Sequence, residues 1–130
     1  MGGREISIGG RDLIALARDA IAKGATLRVR ARGHSMSPAI RDGETVEIAP
    51  FDRGPEPGDA ALVDGPRGAR IHRVISRDRG PGGETYLVCG DADPGPPERV
   101  APGDVVGLVR ERGRGLDGLL ARLLRRLRRA

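Results

Sequence analysis

The sequence predicts a mainly β domain, an antiparallel β-barrel or sandwich flanked by an N-terminal and a C-terminal α-helix. Three observations predict it. Short alternations of apolar and polar residues recur through the middle of the chain. Turn signals separate them, with Gly 21 and Pro 10 among 130 residues. Successive alternations lie close together in sequence, which favours hairpin pairing and hence antiparallel strands.

Residues 11–23 read as an amphipathic helix. Leu13, Ile14, Ala17, Ala20 and Ile21 recur at helical spacing, and Gly24 supplies a C-cap. Residues 26–32 alternate, with Leu27, Val29 and Ala31 on one face and Arg28, Arg30 and Arg32 on the other. This half-buried strand runs straight into Gly33-His34-Ser35. Arg41-Asp42-Gly43 turns the chain into a strand at 45–49. After a loop at 54–59 come strands at 60–63 and 69–76, joined by a Gly65–Gly68 turn. Residues 78–83 read as a Gly/Pro loop, 84–89 as a strand ending at Gly90-Asp91, 93–102 as a Pro-rich loop and 104–110 as the last strand.

These elements form a β-core over about 26–110 within one domain, residues 1–113. Residues 114–130 are a basic amphipathic tail. Leu116, Leu119, Leu120, Leu123, Leu124 and Leu127 make one stripe of a second helix, and arginines cover the rest. Residues 110–130 hold eight arginines against Glu111 and Asp117, a charge of +6, so residues 1–109 carry −1 of the total +5. The basic character belongs to the tail, which argues against the domain itself binding nucleic acid. With no Trp, one Phe and one Tyr, stacking on bases or sugars is also poorly served. The single cysteine, Cys89, cannot form an internal disulfide and reads as a small buried hydrophobe. No Cys/His cluster offers a zinc site, and no cofactor is expected. No apolar run reaches the ~20 residues that span a bilayer, and the N-terminus has no signal-peptide pattern. The expected location is cytoplasmic or peripheral to a membrane.

Three segments carry chemistry. The first is Gly33-His34-Ser35-Met36-Ser37-Pro38 with Asp42-Gly43 downstream. The second is Pro57-Gly58-Asp59 followed by Ile71-His72-Arg73-Val74. The third is Val88-Cys89-Gly90-Asp91 followed by Pro102-Gly103-Asp104-Val105-Val106-Gly107. In this order, over about residues 26–110, they resemble the signal peptidase I family and its relatives, the repressor-type self-cleaving serine proteases. The resemblance implies the β-fold of those proteases and a serine endopeptidase with Ser35 as nucleophile.

A serine hydroxyl needs an adjacent base to take its proton as it attacks. Many members of the family use a buried lysine. The matching position here is His72, and Lys23, the only lysine, lies outside the motif. This Ser-His form is similar to the signal peptidases of the endoplasmic reticulum and archaea. An imidazole with an unperturbed pKa of ~6.5 is already largely neutral near pH 7 and can accept a proton. A carboxylate would fix its tautomer; Asp91 of Gly90-Asp91 is the expected acid, and Asp93 the alternative. The Ser35 N–H is the expected oxyanion donor. Gly33 stands where many relatives place a second serine, while Met36 packs under the nucleophile and Pro38 sets the turn.

The expected partner is a protein or peptide substrate, with residues 116–129 contacting either an anionic membrane surface or a partner helix. The competing reading is a non-catalytic module of the same fold that binds peptides at a strand edge. A self-cleaving regulator ranks last, because about 25 residues before the first strand are too few for a helix-turn-helix unit.

Overall fold

The computed structural model describes residues 6–7, 11–66, 68–93 and 95–110. The expected C-terminal helix and its leucine stripe fall outside them. The described elements are β1 (Ile6–Ser7), α1 (Arg11–Ala22), β2 (Leu27–Arg30), β3 (Thr45–Ala49), β4 (Ala60–Gly65), β5 (Gly68–Gly80), β6 (Gly83–Cys89), β7 (Glu98–Val100), a 3-10 turn (Pro102–Asp104) and β8 (Val105–Arg110).

The chain is mainly β, but the strands close neither a barrel nor a two-sheet sandwich. They form one open sheet in the order β1-β2-β3-β8-β4-β5-β6-β7. All neighbours pair antiparallel except β1, which runs parallel to β2. Barrel closure needs its two end strands to pair. Here the end strands are β1, of two residues, and β7, of three, and they are not paired with each other.

Two apolar clusters follow from the alternation of side chains. On one face Leu13, Ile14 and Ala17 of α1 pack over Val29, Ile48, Leu62 and Ile71. On the other, Ala61, Val63 and Val74 meet Tyr86, Val88 and Val100. The helix ends as its sequence dictates. Gly24 takes φ +74°, its N–H donates to Ile21 O at 2.9 Å, and Ala25 N–H reaches back to Ala20 O at 2.8 Å, a Schellman closure.

Two expected loops turn out differently. Residues 78–83 mostly continue the β5–β6 hairpin, with Arg77 opposite Tyr86 and Gly80 opposite Gly83. Within the Pro-rich stretch, Glu98–Val100 pairs with β6. The centre of β5 is buried without alternation from Ile71 to Ser76, because the strand is covered on both faces and a bulge interrupts its register between Val74 and Ser76. Among the described residues no helix is long and apolar enough to cross a membrane.

Candidate active site

Ser35 is delivered by β2. Beyond Arg30 the contact with the β3 side continues for one more step, with Ala31 N–H donating to Glu44 O at 2.8 Å and Gly43 N–H to Ala31 O at 2.7 Å. The residues between form a loop pinned at several points. Gly33 takes φ +88°, a left-handed conformation natural to glycine, and its N–H donates to Asp42 Oδ1 at 2.8 Å. That N–H is therefore engaged by a carboxylate and does not face the cleft as a donor. Met36 and Ile40 plug the loop into the cluster under α1, and Ile40 N–H donates to Met36 O at 2.9 Å. Pro38 follows a cis Ser37–Pro38 peptide and is exposed.

The turn after β6 presses on Ser35 from the other side. Ala92 N–H donates to Ser35 O at 2.7 Å. A Cβ at Gly90 would lie 2.7 Å from Ser35 O and 2.8 Å from Ser35 Cβ. Only a residue without a side chain permits this approach, which gives the glycine of Gly90-Asp91 a steric reason. Among the described residues no hydrogen bond engages the Ser35 N–H, which leaves it able to serve an oxyanion.

His72 lies on β5 opposite Ala61. It is 7% exposed, and its Nδ1 is buried without a hydrogen-bond partner among the described residues. Burial pushes the imidazole below its usual pKa of 6.5, and the Arg70 cation pushes the same way; Asp93, Glu98 and Asp91 oppose. At neutral pH the ring is uncharged.

Arg73, the next residue, points to the opposite face of the strand and is 0% exposed. Its Nη2 donates to Asp91 Oδ2 at 2.7 Å, its Nε to Asp91 Oδ1 at 3.2 Å and its Nη1 to Gly58 O at 2.9 Å. Asp91 is thus committed to a two-pronged pair with Arg73 and accepts no hydrogen bond from His72 Nδ1. The expectation that Asp91 orients His72 is corrected on this point. Adjacent strand residues face opposite ways, so the carboxylate that serves Arg73 is not placed to serve His72 as well.

Asp93 is the acid that reaches the cleft. Ser35, His72 and Asp93 together line a cleft of about 270 Å³. Met36, Ile40 and Ile71 give it an apolar wall, and Arg32 and Arg70 add cationic groups. Asp93 is positioned by its own turn: its N–H donates to Gly90 O at 3.1 Å, and its Oδ1 accepts the Gly95 N–H at 2.8 Å. Among the described residues no hydrogen bond joins Ser35 to His72.

The cleft follows a strand edge. β6 stops at Cys89, opposite Arg73, so residues 68–72 have β4 on one side and, among the described residues, no strand on the other. Four successive residues of this stretch, 69–72, line the cleft. Among the described residues no group of His, Cys, Asp and Glu is arranged to hold a metal ion.

Neither the family models nor the curated proteins contain a match to this chain. The site is therefore read from its own chemistry. A hydroxyl, an uncharged imidazole and a carboxylate in one cleft are the groups that nucleophilic acyl transfer needs. Sequence reasoning missed two residues beside them, Arg70 and its ion-pair partner Glu98. Arg70 was within reach, since strand alternation alone puts it on the His72 face. Glu98 was hidden inside a stretch that its prolines marked as loop.

Proposed function

We propose that this chain is a serine endopeptidase with Ser35 as nucleophile, His72 as general base and Asp93 as the acid that orients His72. The observation that carries the reading is the convergence of these three side chains, from three separate segments, on one cleft. Ser35 Oγ attacks the scissile carbonyl while His72 takes its proton, and the oxyanion forms beside the Ser35 N–H. His72 then hands that proton to the leaving amine, and the acyl-enzyme is released by water in the reverse sense. The open edge of residues 68–72 suits an extended peptide laid alongside β5, with main-chain hydrogen bonds setting its register. The Arg73–Asp91 pair supports the turn that bears Gly90 and Asp93.

A fluorophosphonate probe tests this directly, with adduct mass as the readout. One adduct on Ser35 is expected, absent from Ser35→Ala and slowed ~10²- to 10⁴-fold in His72→Ala. The lack of a Ser35–His72 hydrogen bond favours a second reading, a peptide-binding module without catalysis. No adduct between pH 6 and 9 on the folded protein would establish that reading and remove the first.

A further inference from the structure

Arg70 and His72 are two residues apart on β5, facing Val63 and Ala61 on β4, so both project from the same face. Their Cβ atoms are separated by about 7 Å, two strand steps. Both line the cleft. Arg70 is held in place from two directions. Glu98 on β7 pairs with its Nη2, and Gly65 makes room for it, since a Cβ at Gly65 would lie 2.6 Å from that nitrogen. A guanidinium is thus fixed beside a buried imidazole.

We propose that Arg70 is a positioning residue acting through His72: clamped by Glu98, its guanidinium sets a fixed positive charge beside the imidazole, on the same face of β5 and in the same cleft. The inference rests on the proposed peptidase reading for its purpose, but its physical content does not. The charged groups that act on His72 are Arg70 on its own strand, Glu98 on β7, Asp93 in the turn after β6 and, from its pair with Arg73, Asp91. Burial opposes protonation most, Arg70 adds to it, and the three carboxylates favour protonation.

The two halves of the ion pair therefore predict opposite outcomes. Arg70→Gln removes the cation and leaves Glu98 behind, so His72 titrates at higher pH. Glu98→Gln leaves Arg70 uncompensated, so His72 titrates at lower pH. A purely structural role would loosen the packing in both variants and move both titrations upward, toward the solvent value. Arg70→Lys, which keeps the charge, should restore the wild-type midpoint.

The measurement is an NMR titration of the ring signals of the full chain, with His34→Gln to assign the only other histidine. Far-UV circular dichroism confirms that each variant is folded. Shifts of opposite sign with rescue by lysine are the expected result. Shifts of the same sign, or none, would overturn the proposal. Fluorophosphonate labelling of the same samples at pH 6 separates the two claims. Opposite titration shifts without any labelling would retain the electrostatic role of Arg70 and remove the peptidase reading. Labelling of Ser35 at equal rates in all variants, with unmoved titrations, would do the reverse.

Discussion

His72 and Arg73 are neighbours on one strand, both buried, and treated in opposite ways. On the Arg73 side three guanidinium nitrogens find oxygens, two on Asp91 and one on Gly58. On the His72 side Nδ1 has no hydrogen-bond partner among the described residues. A buried polar group left unmatched costs free energy that folding alone gives no reason to spend. A matched one holds the structure together, and that is the division of labour between the two sides of β5. The same division separates Asp91, committed to the fold, from Asp93, which faces the cleft.

The largest expected effect breaks the Arg73 side. Arg73→Met leaves the Asp91 carboxylate without its cation and should lower unfolding stability by about 3–5 kcal/mol in a urea titration. Asp93→Asn should change stability by no more than about 0.5 kcal/mol, because Asp93 is exposed, while slowing Ser35 labelling severalfold or more. If the two substitutions proved equally destabilising, the contrast between the sides would be lost.

Gly90→Ala comes next. The new methyl meets Ser35 backbone rather than a flexible side-chain end, so the turn must move. A loss of about 1–3 kcal/mol is expected, together with slower labelling, because the atoms displaced belong to Ser35, the proposed nucleophile. Wild-type labelling rates in this variant would show that the contact has no part in placing Ser35.

The smallest effect is the pH dependence of stability. The folded protein holds the His72 pKa below 6.5, so between the folded value and 6.5 the unfolded chain binds more protons. Stability then rises with pH through that window. His72's contribution is fully present above 6.5 and is lost as pH falls below it. The urea midpoint should fall less on acidification in His72→Gln than in wild type. An identical slope in the two proteins would mean that His72 is not held neutral by its surroundings.

Much of the β-core was legible because alternation and turn residues are local signals. The helix, its glycine cap and the strands at 45–49 and 84–89 all left such marks. The open shape of the sheet left none, since closure depends on the lengths of end strands that are set by tertiary pairing. For the site, Ser35 and His72 were readable from motif and chemistry, and the structure brings both to the cleft. Which of Asp91 and Asp93 lines the cleft was not readable. It turns on which face of β5 each carboxylate meets, and that is decided by the turn after Cys89 rather than by spacing along the chain.

The edge of β5 sets a ruler on recognition. Five residues, 68–72, paired with β4 on one side and with no described strand on the other, extend over about 17 Å. Main-chain pairing along that length reads direction and register but no side-chain identity. Under the proposed peptidase reading, choice among the many peptide bonds of a protein would then come from the few substrate side chains that meet Met36, Ile40 and Ile71. Residues of the substrate beyond a pentapeptide-sized window would lie past the end of the edge. Their contribution would be to hold the segment extended rather than to name the bond that is cut.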